Sequence, residues 1–247
     1  MQCLSTNRTP CLFRVAIAVA MLMALLAIPP TLIAQRDDQD DWVYPPDSTV
    51  YGMTYGDWLV AWWQYALSIP ASTNPALDTT GAYCSVAQSA GPVFFLNSSF
   101  SPGVLVTRTC TVPAAGKALW IPNVGSECST VEPPPFHGDN PQEIRQCTLS
   151  GTDGIGPNTV KFTVDGRRVH DAARFRVQGP YFDFITPAHD NLLGLEGVTA
   201  GSSVPDMYAV MLKPLSRGRH VIHFEGAWVS GPYTGLSFSV TYNLTVQ

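Results

Sequence analysis

The chain has 247 residues, of which 45% are hydrophobic and 13% are charged, and its formal net charge is −5 at pH 7. The apolar share is sufficient for a globular core. With an acidic balance and only three lysines, the chain lacks the basic surface that binds phosphate backbones, which excludes nucleic acid as a partner.

The first 34 residues have the pattern of a secretory signal peptide. Arg8 and Arg14 accompany an apolar run from Val15 to Ile28, which is shorter than the roughly 20 residues of a membrane span. We place the cleavage site after Ala34, and an uncleaved membrane anchor is the alternative. Because the removed segment carries two arginines and no acid, the mature chain has 213 residues and a net charge of −7. We expect a secreted product, in the periplasm or outside the cell, with no membrane association.

Residues 35–50 are acidic and proline-bearing, and we predict a disordered linker there. The alternative is a cation site formed by the acidic cluster at the start of this segment, which consists of Asp37, Asp38, Asp40 and Asp41. The following residues, 51–247, are predicted to form one domain.

A single convincing helix is predicted over residues 54–68. Thr54 and Asp57 have the spacing of a capping box, and Pro70 ends the helical pattern. The helix is so aromatic that it must be covered on more than one side. We therefore assign a structural role to the helix tryptophans Trp58, Trp62 and Trp63. The alternative for them is a glycan-binding platform.

Most of the remaining chain shows the alternating pattern of short β-strands. The last segment is the clearest, because apolar residues at even positions from Leu236 to Val246 alternate with polar ones. Asp165-Gly166 is typical of a tight hairpin turn. The pattern predicts an antiparallel β-sandwich, jelly-roll or immunoglobulin-like. Strands are predicted near residues 93–96, 104–112, 117–121, 159–164, 174–178, 181–185, 207–212, 219–224 and 236–246.

Four cysteines remain after signal removal, and an even number in an exported chain indicates disulfides. Three pairings are possible, and we favour the two that close the shortest separate loops, Cys84–Cys110 and Cys128–Cys147. A zinc site is the weaker alternative, because no pair has C-x-x-C spacing. Residues 122–158 are rich in Pro, Gly and Ser and are predicted to form one long surface loop, pinned by Cys128 and Cys147.

Arg108 falls on the same strand face as Val106 and Cys110. A charge in that position must be paired if it is buried. We therefore predict a buried Arg108 paired with a carboxylate, either Asp57 or Asp78, and an anion-binding role is the alternative. For Asp57 the structural alternative is the helix cap, and for Asp78 it is a turn.

Candidate binding residues are few, and all are in irregular segments. Trp42 and Trp228 are the tryptophans that are freest to contact a ligand such as a glycan, and His137 with Asp139 could serve as a metal or acid–base site. The alternative for His137-Gly-Asp139 is a simple turn. No metal-ligand set and no cofactor motif is recognisable. Carboxylates that could form a hydrolytic pair cannot be paired from spacing alone: Asp57, Asp78, Glu127, Asp139 and Glu143.

Several motifs together resemble a group of exported bacterial proteins with no assigned activity. The resemblance spans most of residues 50–247, and it implies a secreted β-sandwich and carries over no catalytic residue. It rests on Tyr51-Gly-x-x-Tyr-Gly-x-Trp58, Trp62-Trp-Gln-x-Ala-x-Ser-Ile-Pro70, Asn74-Pro, Asp78-x-x-Gly81, Cys84, Gly91-Pro-Val-Phe-Phe-Leu96, Arg108-x-Cys110-x-Val-Pro113, Gly116-Lys-Ala118, Val164-Asp-Gly166 and Pro214-Leu-x-x-Gly-x-His-x-Ile-x-Phe224.

Three classes of function are compatible with the sequence. We favour a non-catalytic extracytoplasmic module that binds a surface component, such as an envelope protein or a glycan. The alternatives are a carbohydrate-active enzyme on a sandwich scaffold and a purely structural envelope or matrix protein. Fold alone does not distinguish among them, because sandwiches support unrelated functions.

Overall fold

The computed structural model describes residues 40–247, so the predicted signal peptide and residues 35–39 lie outside the described part. Helix α1 spans Tyr55–Ser68, as predicted. Its capping box is formed: the Thr54 hydroxyl accepts the Asp57 amide at 3.2 Å, and the Asp57 carboxylate accepts the Thr54 amide at 3.0 Å. The chain leaves the helix at Ile69, directly before Pro70.

Within residues 40–247, ten strands form two sheets. The strand bounds are β1 Val93–Phe95, β2 Leu105–Val112, β3 Ala118–Ser129, β4 Lys161–Val164, β5 Arg167–Arg168, β6 Arg176–Gln178, β7 Phe182–Ile185, β8 Ala200–Leu212, β9 Gly218–Ala227 and β10 Ser237–Val246. The first sheet has the order β1-β3-β8-β6, with β7 pairing to the other end of β8, and the second has the order β2-β10-β9-β4-β5.

The structure corrects the prediction that the sheets are purely antiparallel. β1 pairs in parallel with β3. β10 pairs in parallel with β2 along the whole length of β2. Alternation in a sequence reports which face of a strand is buried, and it carries no information about the direction of the neighbouring strand. The predicted hairpin turn at Asp165-Gly166 is present, with positive φ at both residues, and joins β4 to β5.

Residues 40–50 are packed against the fold and do not form the predicted disordered linker. Val43 is buried and pairs with Leu212, and the Tyr44 amide donates to the Met211 carbonyl at 2.9 Å. Asp40 accepts the His170 amide at 3.0 Å, so its carboxylate serves a local backbone contact. The charge of this segment misled the prediction, because the apolar side chains between the aspartates supply the contact.

Residues 122–158 also differ from the predicted long loop. β3 continues to Ser129, and a second helix, α2, spans Pro141–Thr152. Asn140 caps α2 by accepting the amides of Gln142 and Glu143 at 3.1 Å and 3.0 Å, with Pro141 at the first helical position. These start signals were present in the sequence, and the Pro and Gly content on either side concealed them.

Both predicted disulfides are confirmed. Cys84–Cys110 joins the segment after α1 to β2, and Cys128–Cys147 joins the end of β3 to α2. Disulfides form and persist in oxidising compartments.

The described residues form one compact unit with a continuous core. The core includes side chains from α1 and from both sheets, and its largest fully buried members include Trp62, Trp120 and Phe224. α1 packs on the first sheet through contacts with β6, β7 and β8. One wall of the core beside α1 does not close completely, and a cavity remains there.

Candidate functional site

A cavity of about 310 Å³ lies where α1, β3 and the segments around Trp228 and Phe238 meet. This volume is at the lower end of the range for small-molecule sites. Three of its lining residues are well exposed for apolar side chains, at 37–40%, and therefore mark its mouth: Phe100, Phe136 and Leu236.

Aromatic rings form part of the cavity wall. They contact one another edge-to-face or in stacks, and these contacts fix their orientation. Trp62 and Trp63 meet at 4.9 Å between ring centroids, and Phe136 and Tyr233 stack at 5.9 Å. Further edge-to-face contacts join Trp63 to Phe100, and Trp228 to both Tyr233 and Phe238.

Two carboxyl groups line the same cavity. Glu127 is on β3 and is 7% exposed, and Glu132 follows the strand in the next turn. The two carboxyl groups are close enough for Glu132 to raise the pKa of Glu127. Each also has a hydroxyl partner: Ser203 on β8 donates to Glu127, and Ser129 donates to Glu132 at 2.8 Å.

The pair shares a proton. Burial raises the pKa of Glu127 well above its ordinary range, and the neighbouring Glu132 carboxyl raises it further. Burial also raises the pKa of Glu132, although the hydrogen bonds from Ser129 and Glu127 oppose this shift. Two adjacent carboxyl groups in an apolar site cannot both ionise easily, so the pair holds a proton to a higher pH than a free glutamate does.

Two further polar atoms in the cavity wall are buried and have no hydrogen-bond partner within the described residues: Trp63 Nε1 and Asn123 Oδ1. The amide nitrogen of Asn123 donates to the Glu225 carbonyl at 2.8 Å, which fixes the side chain and leaves Oδ1 free to accept. Buried polar atoms are rarely left without a partner in folded proteins. The cavity wall therefore contains residues with one unpaired donor and one unpaired acceptor.

The two tryptophans proposed as ligand contacts have different positions. Trp228 lines the cavity, but it is 5% exposed, and its Nε1 donates to the Gly151 carbonyl at 2.7 Å. It is held as a fixed wall and is not a free loop residue. Trp42 packs at the edge of the core, with the Arg167 guanidinium 5.2 Å from its ring centroid, and it is not part of this cavity.

His137 and Asp139 form a pair with Nε2 and Oδ1 3.0 Å apart. The other ring nitrogen of His137 contacts the Glu132 carbonyl at 2.8 Å, so the histidine supports the turn that carries Glu132. Within residues 40–247, no group of three or more His, Cys, Asp or Glu residues is arranged to hold a metal ion.

The helix tryptophans combine the two roles that the sequence placed in competition. Trp62 is fully buried, and its Nε1 donates to Asn97 Oδ1 at 3.2 Å. Trp58 is 8% exposed and donates to the Val50 carbonyl at 2.9 Å. Trp62 and Trp63 also line the cavity, so the same residues that cover the core form the wall of the candidate site.

Arg108 is buried as predicted, at 1% exposure, but the predicted carboxylate partner is wrong. Its guanidinium donates to backbone carbonyls and to the hydroxyl of Tyr242, at 2.7 Å. Asp78 contributes its carbonyl to Arg108, and its carboxylate closes a turn by accepting the amides of Thr80 and Tyr83. Asp57 caps α1. The carbonyls that accept from Arg108 belong to Ala76, Asp78, Asn97 and Ser98.

Of the five carboxylates considered as a possible hydrolytic pair, Glu127 alone lines the cavity. Its partner, Glu132, was missed. Both faces of β3 are buried over most of its length, so alternation could not identify an unusual residue there. The sequence feature that could have singled out Glu127 is its position next to Cys128 in a predominantly buried segment.

Comparison of the chain with protein-family models, with curated proteins and with solved structures finds no match. Among the helices of residues 40–247, none combines the length and the apolar character needed to cross a membrane.

Proposed function

We propose that this chain is an exported, non-catalytic binding module that holds a small ligand, or the end group of a surface glycan or envelope component, in the cavity beside α1. The observation that carries this proposal is the coexistence in one cavity of fixed aromatic walls, a buried carboxyl pair and two unpartnered polar atoms.

Export is supported by two features of different kinds. The sequence begins with a signal-like segment, and the fold contains two disulfides. A sandwich architecture is supported by the two sheets that contribute to one core, although the parallel pairings depart from the immunoglobulin pattern.

The carboxyl pair favours binding over glycoside hydrolysis. Glycosidases keep their two carboxyl groups about 5–9.5 Å apart, with the sugar and in some enzymes a water between them. Glu127 and Glu132 interact closely enough that Glu132 raises the pKa of Glu127, which does not suit a sugar held between them. A carbohydrate-active enzyme is therefore the second candidate, and the experiment below distinguishes it.

The test is a ligand-observed NMR screen of the mature protein against glycan fragments and small organic ions. Leu236→Trp enlarges a residue at the mouth of the cavity and is expected to abolish binding of the hits. Leu105→Trp is the matched control, because Leu105 is 83% exposed on β2 and is not part of the cavity. Hits that bind both variants equally, or a screen without hits, would overturn the proposal. Turnover of a bound glycan would favour the enzyme.

A further inference from the structure

We propose that the ligand is an organic cation, a protonated amine on a ring or chain small enough for the cavity, and that Glu127 and Glu132 form the subsite for its ammonium group. This inference rests on the proposed function and adds the chemical class of the ligand.

The charge of the cavity wall is one-sided. Two carboxyl groups line it, and the lining residues within 40–247 include no Lys, Arg or His. A buried acid normally pairs with a cation supplied by the protein, as Asp206 does with Arg176 at 2.7 Å elsewhere in this fold. Glu127 has a carboxyl neighbour and a serine instead. The missing positive charge is the complement that a cationic ligand would bring.

The other charged groups near this edge are engaged elsewhere. On α2, Glu143 accepts the Asp139 amide at 2.9 Å, and Arg145 donates to the Gly179 carbonyl at 3.2 Å. His137 contacts Asp139 and the backbone of Glu132. Tyr233 lines the cavity, where burial raises its pKa and the nearby Glu132 raises it further, so it remains neutral and presents a ring.

The aromatic walls suit a cation as well. The faces of Trp, Tyr and Phe rings attract a cation within about 6 Å of the ring centroid, most strongly where water is excluded. Trp62, Trp63, Trp228 and Tyr233 present rings to the cavity beside the two carboxyl groups. Rings and carboxylates together select an ammonium group over a neutral group of the same shape.

The unpartnered atoms do not narrow the choice of ligand. Asn123 Oδ1 and Trp63 Nε1 belong to residues of the cavity wall, but neither atom has accessible surface, so the ammonium group is assigned to the carboxyl pair alone. Amino sugars, simple amino alcohols and aromatic amines all carry the amine that this subsite would bind. The experiment distinguishes a sugar amine from an aromatic amine as the ligand.

Binding of a cation must displace the shared proton. The ammonium group stabilises the ionised form of the pair, so Glu127 releases its proton when the ligand binds. Affinity for the cation should therefore fall as the pH is lowered, whereas affinity for a neutral analogue should not change. Proton release can be measured calorimetrically in buffers of different ionisation enthalpy.

The experiment uses two matched pairs of probes with the mature wild-type protein: phenethylamine with phenethyl alcohol, and glucosamine with glucose. We expect the amine to bind at least about tenfold more tightly than its neutral partner in one pair or both, with release of protons. The pair that shows this preference identifies an aromatic or a sugar amine. Equal binding of amine and alcohol would overturn this inference and leave the binding function intact. Absence of binding by all four probes, while other ligands bind in the screen, would also overturn it.

The variant test is the double substitution Glu127→Gln with Glu132→Gln, which keeps the shape and removes the charge. It should lose the preference for the amine and retain binding of the neutral partner. Glu196→Gln, at an exposed glutamate paired with His189, is the control and should behave like wild type. If the double variant does not fold, the proposal is tested on the wild-type protein by the pH dependence of amine binding and by the release of protons on binding. Retention of the full amine preference in a folded double variant would contradict the proposal.

Discussion

At the scale of single residues, Arg108 shows how a buried charge can be held without a carboxylate. Its guanidinium donates to four backbone carbonyls and to the Tyr242 hydroxyl. Arg108→Met would take this donor from the carbonyls of Ala76, Asp78 and Ser98, at about 1–3 kcal/mol for each group that water cannot reach, whereas the Asn97 carbonyl keeps the Tyr242 hydroxyl. We expect a loss of about 3–5 kcal/mol in the free energy of unfolding, measured by urea denaturation.

Two comparisons isolate this effect. Arg168→Met removes an arginine from exposed β5 and should change the free energy of unfolding by less than about 0.5 kcal/mol. Arg108→Lys keeps the charge but lacks the planar guanidinium with its several N–H donors. It should therefore recover only a small part of the unfolding free energy that Arg108→Met loses. An Arg108→Met protein as stable as wild type would show that water or neighbouring donors satisfy the carbonyls.

The Glu127–Glu132 pair predicts how stability depends on pH. Both pKa values are raised in the folded state, so the native protein binds more protons than the unfolded chain above about pH 4.3. The contribution of the pair to stability is complete below that pH and is lost as the pH rises through the raised pKa values. Urea unfolding of wild type should show this decline, and the Glu127→Gln, Glu132→Gln double variant should not. An identical pH profile for the two proteins would refute the assignment.

At the scale of elements, helix α2 tests the role of the Cys128–Cys147 bridge. α2 is also held by buried Ile144 and by the hydroxyls of Thr148 and Thr152, which donate to carbonyls of β8 at 2.8 Å. We expect the Cys128→Ser, Cys147→Ser variant to remain folded, to lose about 2–5 kcal/mol, and to exchange its α2 amides faster.

The other bridge is the control for this prediction. Removing Cys84–Cys110 should also lower overall stability. Amide exchange should then become faster outside α2 and not within it, because that bridge joins β2 to the segment after α1. Equal acceleration of α2 exchange in both variants would mean that the helix opens only with the whole molecule.

Elements with strong local signals were predictable, and their arrangement was not. The cap at Thr54, the stop at Pro70 and the alternation of β10 are properties of neighbouring residues, and all three are present in the structure. The parallel pairing of β10 with β2 joins residues more than 130 positions apart, for which no local pattern exists. α2 was missed although its cap is local, because a short helix with little apolar periodicity resembles a loop.

At the scale of the whole molecule, the candidate site shows the same division. The sequence identified Trp62, Trp63, Trp228 and Glu127 as notable residues, each for a different reason. Their meeting in one cavity depends on the packing of α1 and β3 with the segments near the chain's end. Glu132 is notable only because the fold places it against Glu127, so no local rule could have selected it.

Trp62 contributes both to the stability of the whole fold and to the shape of the candidate site. Trp62 is fully buried in the core shared by α1 and the two sheets, and it also lines the cavity. Trp62→Ala should therefore cost about 3–5 kcal/mol of unfolding free energy. Trp62→Phe keeps a ring and loses the hydrogen bond to Asn97, so it should cost less. Trp63→Phe loses ring contacts with Trp62 and Phe100 but no hydrogen bond within the described residues, so it should cost less than Trp62→Ala. Thermal melting beside ligand titration of the three variants decides this. If Trp62→Ala melts like wild type while binding is lost, the tryptophan belongs to the site alone and the core does not depend on it.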